Sequence, residues 1–182
     1  MATNITQTLV DEHKLILRMI ALLDQNAPKT AAGQYTNWQF YLDGIDFIRQ
    51  YADRFHHAKE EDVLFEALVA NGMPREHSPV AAMLMEHDLG RSHVRQLEEA
   101  VREAQAGRSE RYPVIAEHAL AYAELLKDHI AKEDTVLYPL AERVLPEEMR
   151  ADILQRYQTA EQRIPEGFSQ HYGQIVEQYE IS

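Results

Sequence analysis

The chain has 182 residues, 45% of them hydrophobic and 26% charged, with a formal net charge of −12 and no cysteine. That length suits one domain able to bury its own core, and the absence of thiols rules out disulfides, thiolate zinc sites, cysteine-ligated iron–sulfur clusters and thiol nucleophiles. Thirty acidic against 18 basic residues repel phosphate backbones, so nucleic acid is not an expected partner, and any metal must sit on nitrogen and oxygen.

Leu9, Val10, Ile16, Leu17, Ile20 and Leu23 recur at helical spacing and predict a first helix over roughly residues 4–25, ended by the segment 26–33 with its Pro28. A second pattern runs from near Tyr35 through Leu42, Ile45, Ile48, Ala52, Phe55, Val63 and Ala67 to about Ala70, where Asn71-Gly72 and then Pro74 stop it. The third helix reads from about Pro79, well suited to a first turn, through Leu84, Val94, Leu97 and Val101 to Gly107. A fourth spans about Tyr112 to Val144. Pro146, Glu147 and Glu148 then open a shorter helix that fades near Glu161, and its charges, Arg150 and Asp152 among them, read as solvated surface. The tail from Ile164, carrying Pro165 and Gly167, reads as a short helix or an irregular strap. No stretch alternates with period two, and the four long helices are joined by short connections. An all-α, up-down-up-down four-helix bundle over 1–145 is expected, with 146–182 packed on it in the same domain. Met1 to Lys14 lacks a basic then apolar leader, and no run approaches the ~18 apolar residues of a membrane span. A cytoplasmic location and no membrane partner are the expectation.

The second half of the bundle repeats the first. At an offset of 73, HHAKEEDVLF from His56 lies over HIAKEDTVLY from His129 with six of ten positions identical; at an offset of 74, Glu12-His13-Lys14-Leu15 lies over Glu86-His87-Asp88-Leu89 with three of four identical. Each half thus offers one histidine from its first helix and a His-x-x-x-Glu pair from its second: His13, His56 and Glu60, then His87, His129 and Glu133. Residues four apart are about 40° apart around an α-helix and one turn along it, so each pair can reach a common ion. Apolar neighbours turn these faces inward: His13 lies among Leu9 and Ile16, His87 among Val80 and Val94, His129 among Leu126, Val136 and Leu140. A carboxylate buried there requires a cation. A lone histidine on an apolar face is ordinarily a hydrogen-bonded core residue; four at matched positions, two with glutamate at i+4, point to metal instead. Six such donors exceed a tetrahedral zinc site and fall short of two octahedra, so two iron ions with Glu60 and Glu133 as bridges, plus solvent and an open position, is the economical arrangement. Side-chain types alone leave zinc and manganese open.

Glu12-His13, HHAKEEDVLF at 56–65, EHDLGR at 86–91 and HIAKEDTVLYP at 129–139 together resemble the hemerythrin-like, or HHE cation-binding, domain family, over about residues 4–145. The resemblance implies a hemerythrin-like bundle in which His13, His56, Glu60, His87, His129 and Glu133 are iron ligands. It also implies an oxo- or hydroxo-bridged di-iron centre that meets O₂, peroxide or nitric oxide. Two departures matter. Oxygen carriers of the family are expected to place a His-x-x-x-His pair on the third helix, where this chain has Met83 and Arg91 four residues either side of His87, and an aspartate five beyond the fourth-helix histidine, where this chain has Glu133 at i+4 and Asp134 at i+5. In addition, His57 and Glu61 form a pair spaced like His56 and Glu60 but turned by about 100°; the repeat favours His56 and Glu60.

Among other residues, His93 is expected on the surface or behind the ligands, His118 too far along its helix to share an ion with His129, and Tyr122 as core or a pocket-lining phenol. Gly90 suits close helix approach or room for a ligand, and His77 and His171 have no assigned role. The expected function is a di-iron protein that binds or reacts with a small exogenous ligand as sensor, scavenger or iron reservoir. The alternatives are a di-iron enzyme, namely a nitric-oxide reductase, a peroxidase or an iron donor in iron–sulfur repair, and a regulatory module with a structural metal. Repair proteins of this kind are expected to carry a cysteine-bearing amino-terminal segment, which counts against that alternative. Enzyme status and oligomeric state are left open.

Overall fold

A computed structural model describes residues 3–181, and among these there are helices and no strands. Four long helices form the bundle: α1 (Gln7–Ala31), α2 (38–70), α3 (Pro79–Gln105) and α4 (112–144). Two shorter ones, α5 (Glu147–Glu161) and α6 (Phe168–Glu180), pack outside it. No helix among the described residues is long and apolar enough to cross a membrane.

The ends follow local chemistry. Asn37 accepts from the Phe40 N–H at the start of α2, and Ser78 Oγ accepts from the Ala81 N–H at the start of α3, where Pro79 occupies the first turn. Gly72 and Gly107 follow α2 and α3 at φ 100° and 96°, the left-handed conformation that closes a helix.

Two expectations are corrected here. Helix α1 runs six residues beyond its predicted end, straight through Pro28. A proline inside a helix costs roughly 3 kcal/mol, but ending the helix earlier would expose Ala27 and Thr30, both buried, and break the 2.7 Å hydrogen bond between the Thr30 and Tyr41 hydroxyls. Helix α5 is not uniformly solvated either. Arg150 is buried and donates to the Leu145 and Thr3 carbonyls and to Glu142 Oε2, tying α5 to the end of α4 and to the chain start. The tail is helical: in α6, Tyr172 and Tyr179 donate to Asp46 and Asp43 of α2, and Glu180 pairs with Arg18 of α1 at 2.6 Å.

Long helices α2 and α4 change winding along their length without breaking. Helix α2 is α-helical over Trp38–Phe47, π-helical over Ile48–His57 and Glu60–Phe65, then α-helical over Glu66–Ala70. Helix α4 is α-helical over Tyr112–Lys132, π-helical over Glu133–Leu137 and α-helical over Tyr138–Val144. The core is divided as well. One apolar cluster gathers Ile16, Ile20, Tyr51, Val94 and Leu126, and another gathers Leu9, Leu64, Met83, Leu137 and Tyr138. His13, His56, His87 and His129 fall between the two in sequence on each helix, so a polar layer crosses the bundle between two greasy ends. Each fully buried large apolar side chain contributes roughly 1.5–3 kcal/mol, and these two clusters hold the layer in place.

Candidate metal centre

The polar layer brings all six sequence-predicted residues together, each buried, and adds a seventh, His57. Their donor atoms form two groups: His13, His56, Glu60 and Glu133 in one, and His57, Glu60, His87 and His129 in the other, each compact enough for a single cation. Glu60 belongs to both. Glu133 reaches across as well, its two oxygens 3.1 Å from His129 Nε2 and 3.3 Å from His13 Nε2. Across the layer, His13 Nε2 faces His56 Nε2 at 2.9 Å and His87 Nε2 faces His129 Nε2 at 3.0 Å.

The outer nitrogens settle which way these rings work. Every one of the five imidazoles turns Nδ1 toward a carboxylate: His13 to Asp134 at 2.8 Å, His56 to Glu12 at 2.8 Å, His57 to Asp53 at 3.4 Å, His87 to Glu61 at 2.6 Å and His129 to Glu86 at 2.9 Å. A carboxylate only accepts, so the proton stays on Nδ1 and the Nε2 lone pair points into the layer. Facing lone pairs and two buried carboxylates repel one another unless a cation lies between them. Glu60 Oε2 and both Glu133 oxygens, all buried, have no aligned hydrogen-bond donor, an expensive arrangement for a group that hydrogen bonds or ion coordination must satisfy. Imidazole nitrogen and carboxylate oxygen are the donor set of iron, manganese and zinc. The residues present therefore fit a metal pair.

Protons reveal the same strain. Burial, reinforced by the charge of Glu133, pushes the Glu60 carboxyl well above the usual range. Burial and the facing His13 push His56 far below its ordinary value, and burial with His87 does the same to His57. For His13 burial works downward too, but Asp134 and Glu133 outweigh it and lift it to about 9. A proton on His13 between its neighbours does in part what a cation would do fully.

The repeat extends to this supporting ring. Glu12 and Glu86 are related by the offset of 74, Glu61 and Asp134 by the offset of 73, and each helix supports a histidine on its neighbour. Lysines follow suit: Lys59 pairs with Glu12 and Lys132 with Glu86. Symmetry ends at the surface. Helix α5 covers Lys59, whose Nζ also meets Glu161 at 3.2 Å, whereas Lys132 is half exposed.

Sequence reasoning admitted His57 only as an alternative to His56, not as a donor beside it, and the reason is the winding of α2. On an α-helix, His56 and His57 diverge by about 100° and only one could enter the layer. In a π-helical stretch each N–H bonds five residues back, as at Ala58 to the Asp53 carbonyl, so a turn holds more residues and neighbours splay less. Both histidines point inward, each to its own group. Glu61 does not join them; it holds His87 Nδ1 and Arg91. The signal was the adjacent histidines themselves, masked by an alignment that set His57 over Ile130. The same winding in α4 turns Val136 out to 56% exposure, correcting its expected place beside His129.

Around the layer, Tyr138 donates to Glu60 Oε1 at 2.5 Å and stacks on His13. His93 is half buried and faces His118 at 3.1 Å between their Nδ1 atoms, apart from both groups. His77 sits in the α2–α3 loop and His171 in α6. A cavity of about 290 Å³ opens onto His57, His87 and His129 between α2, α3 and α4. Tyr122 and Gly90 line it; a Cβ at Gly90 would lie 3.4 Å from the Tyr122 ring.

Comparison with known families gives a match to the hemerythrin HHE cation binding domain over residues 4–141. No curated protein and no solved structure matches the chain.

Proposed function

The chain belongs to the hemerythrin HHE cation-binding family, and from that premise we propose that it holds two iron ions and uses them to bind or react with a small exogenous ligand, O₂, peroxide or nitric oxide, as sensor, scavenger or iron reservoir. His13, His56 and Glu133 would hold one ion and His57, His87 and His129 the other, with Glu60 shared by the two groups and Glu133 also lying near His129. Iron, when bound, supplies one-electron redox chemistry and open coordination positions.

The protein residues do the rest. Asp134, Glu12, Asp53, Glu61 and Glu86 orient the rings and raise their basicity through Nδ1. Tyr138 holds the Glu60 carboxylate by its hydroxyl, and the two apolar clusters keep bulk water from both ends of the layer. The cavity beside His57, His87 and His129 gives a small molecule a route from solvent. That opening favours a reactive centre over a purely structural cation, whose site would be closed on every side.

The observation that carries this reading is the set of seven buried donors in two groups sharing one carboxylate, every imidazole backed by an acid. Elemental analysis and optical spectra of anaerobically prepared protein test it. Two irons per chain and a visible charge-transfer band on exposure to O₂, peroxide or nitric oxide are expected. Protein that takes up no iron, or whose iron changes no absorption with any of the three, overturns it.

A further inference from the structure

We propose that the cavity beside His57, His87 and His129 is a binding pocket for a small organic carboxylate, held with its apolar body against Ile48, Val94, Tyr122 and Leu126 and its carboxylate at the mouth between Arg54 and Arg95. The inference rests on the metal-centre reading and names the class of ligand that the centre meets.

Size is the first argument. At about 290 Å³ the cavity stands near the lower end of the ~300–1,000 Å³ typical of organic-ligand pockets. A diatomic needs little more room than a water molecule, about 30 Å³. Access for O₂ or nitric oxide alone leaves most of that space without a purpose.

Lining is the second. Ile48, Val94, Leu126 and the Tyr122 ring make apolar walls, and Gly90 lines the cavity without a side chain, where a Cβ would sit in ordinary contact with Tyr122 and Leu126 at 3.4 and 3.7 Å. Within this wall, the Tyr122 hydroxyl is buried and has no hydrogen-bond partner. An unsatisfied buried hydroxyl is costly, and a polar substituent on the ligand's otherwise apolar body would satisfy it.

Charge is the third. Four arginines, Arg49, Arg54, Arg91 and Arg95, line the cavity of a chain whose net charge is −12. Two are already neutralised: Arg49 by Glu98 at 2.5 Å, and Arg91 by Asp53, Glu61 and Asp88. The acids that line the cavity are neutralised too, Asp53 by Arg91 and Glu86 by Lys132. Arg54 has only a long 3.4 Å bond to Gln50, and Arg95 has no ion pair among the described residues. Two guanidiniums without carboxylates at the mouth of an apolar pocket match a single carboxylate on an apolar body, which the planar guanidinium binds in bidentate fashion.

Benzoate and its uncharged counterpart benzamide serve as probes, titrated calorimetrically into iron-loaded wild type and into the double variant R54E/R95E, with iron measured on each sample. Benzoate should bind saturably, one per chain, and about tenfold more tightly than benzamide, the worth of two partly exposed ion pairs. R54E/R95E should weaken benzoate by at least about that factor and leave benzamide unchanged. Iron-loaded wild type that fails to bind benzoate, that binds the two probes equally, or whose affinity survives R54E/R95E overturns the pocket while leaving the iron centre intact. Benzoate binding to protein that takes up no iron would instead overturn the metal reading, and with it the pocket's role as that centre's ligand site.

Discussion

Replacing His57 with alanine should remove one iron of two. His57 is one of four donors in its group, is buried, and stacks on the neighbouring ligand candidate His87 with ring centroids 3.8 Å apart. Apparent binding free energies of about 10–16 kcal/mol for four-donor structural zinc sites put each donor at about 2.5–4 kcal/mol, or ~10²–10³-fold in affinity. Anaerobic ferrous titration against a competing chelator reads this directly. Wild type should take up two equivalents; His57→Ala should keep one and release the second at chelator concentrations that wild type resists. His56→Ala is the matched control, expected to weaken the other site, because α2 aims the two adjacent rings at different groups. His57→Ala that retained two irons at wild-type affinity would refute the two-group assignment, and His56→Ala that retained them would restore the alternative register of the pair.

Three more expectations follow from named contacts. Glu61→Gln weakens the acceptor on His87 Nδ1 at 2.6 Å without touching either group of inward donors, so the second iron should bind about 10–100-fold more weakly by the same titration. The repeat-related lysines should behave differently: Lys59→Met leaves Glu12 buried without its cation and should cost about 3 kcal/mol in urea unfolding, whereas Lys132→Met, at 45% exposure, should cost under about 1 kcal/mol. Equal losses would contradict the asymmetric cover that α5 provides. His13 is held protonated up to about 9 when no metal competes, so iron must displace that proton. Apparent ferrous affinity should therefore climb as pH rises from neutrality toward 9, by about tenfold per pH unit for each proton released, and level off above it. A flat profile across that range would show that His13 is not displaced.

The helices, their order and the inward faces were legible because apolar spacing and glycine or proline stops are local properties of the chain. Four histidines and two glutamates were legible for a further reason: duplication wrote them twice, at matched positions on α1 and α3 and on α2 and α4. What escaped depended on winding or on contacts across helices. His57 enters the layer only because α2 is π-helical there, and its repeat counterpart is Ile130. The supporting carboxylates Glu61 and Asp134 touch rings on neighbouring helices, so spacing along one helix did not single them out, and Asp53, four residues before His57, went unread together with that histidine. Pro28 was read as a stop because its local cost is visible in sequence, while the Thr30–Tyr41 hydrogen bond that offsets it is not. Buried Lys59 and Arg150 were illegible for the same reason: Lys59 meets Glu161 of α5, and Arg150 meets the Thr3 carbonyl, each far away in sequence.

Anomalous diffraction at the iron edge, from crystals of ferrous-reconstituted protein, tests the central claim most directly. Two peaks should appear in the bundle, one against His13 and His56 and one against His57, His87 and His129, both within coordination distance of Glu60 and Glu133. A lone peak elsewhere, or none in protein that remains folded with these side chains turned inward, would contradict it.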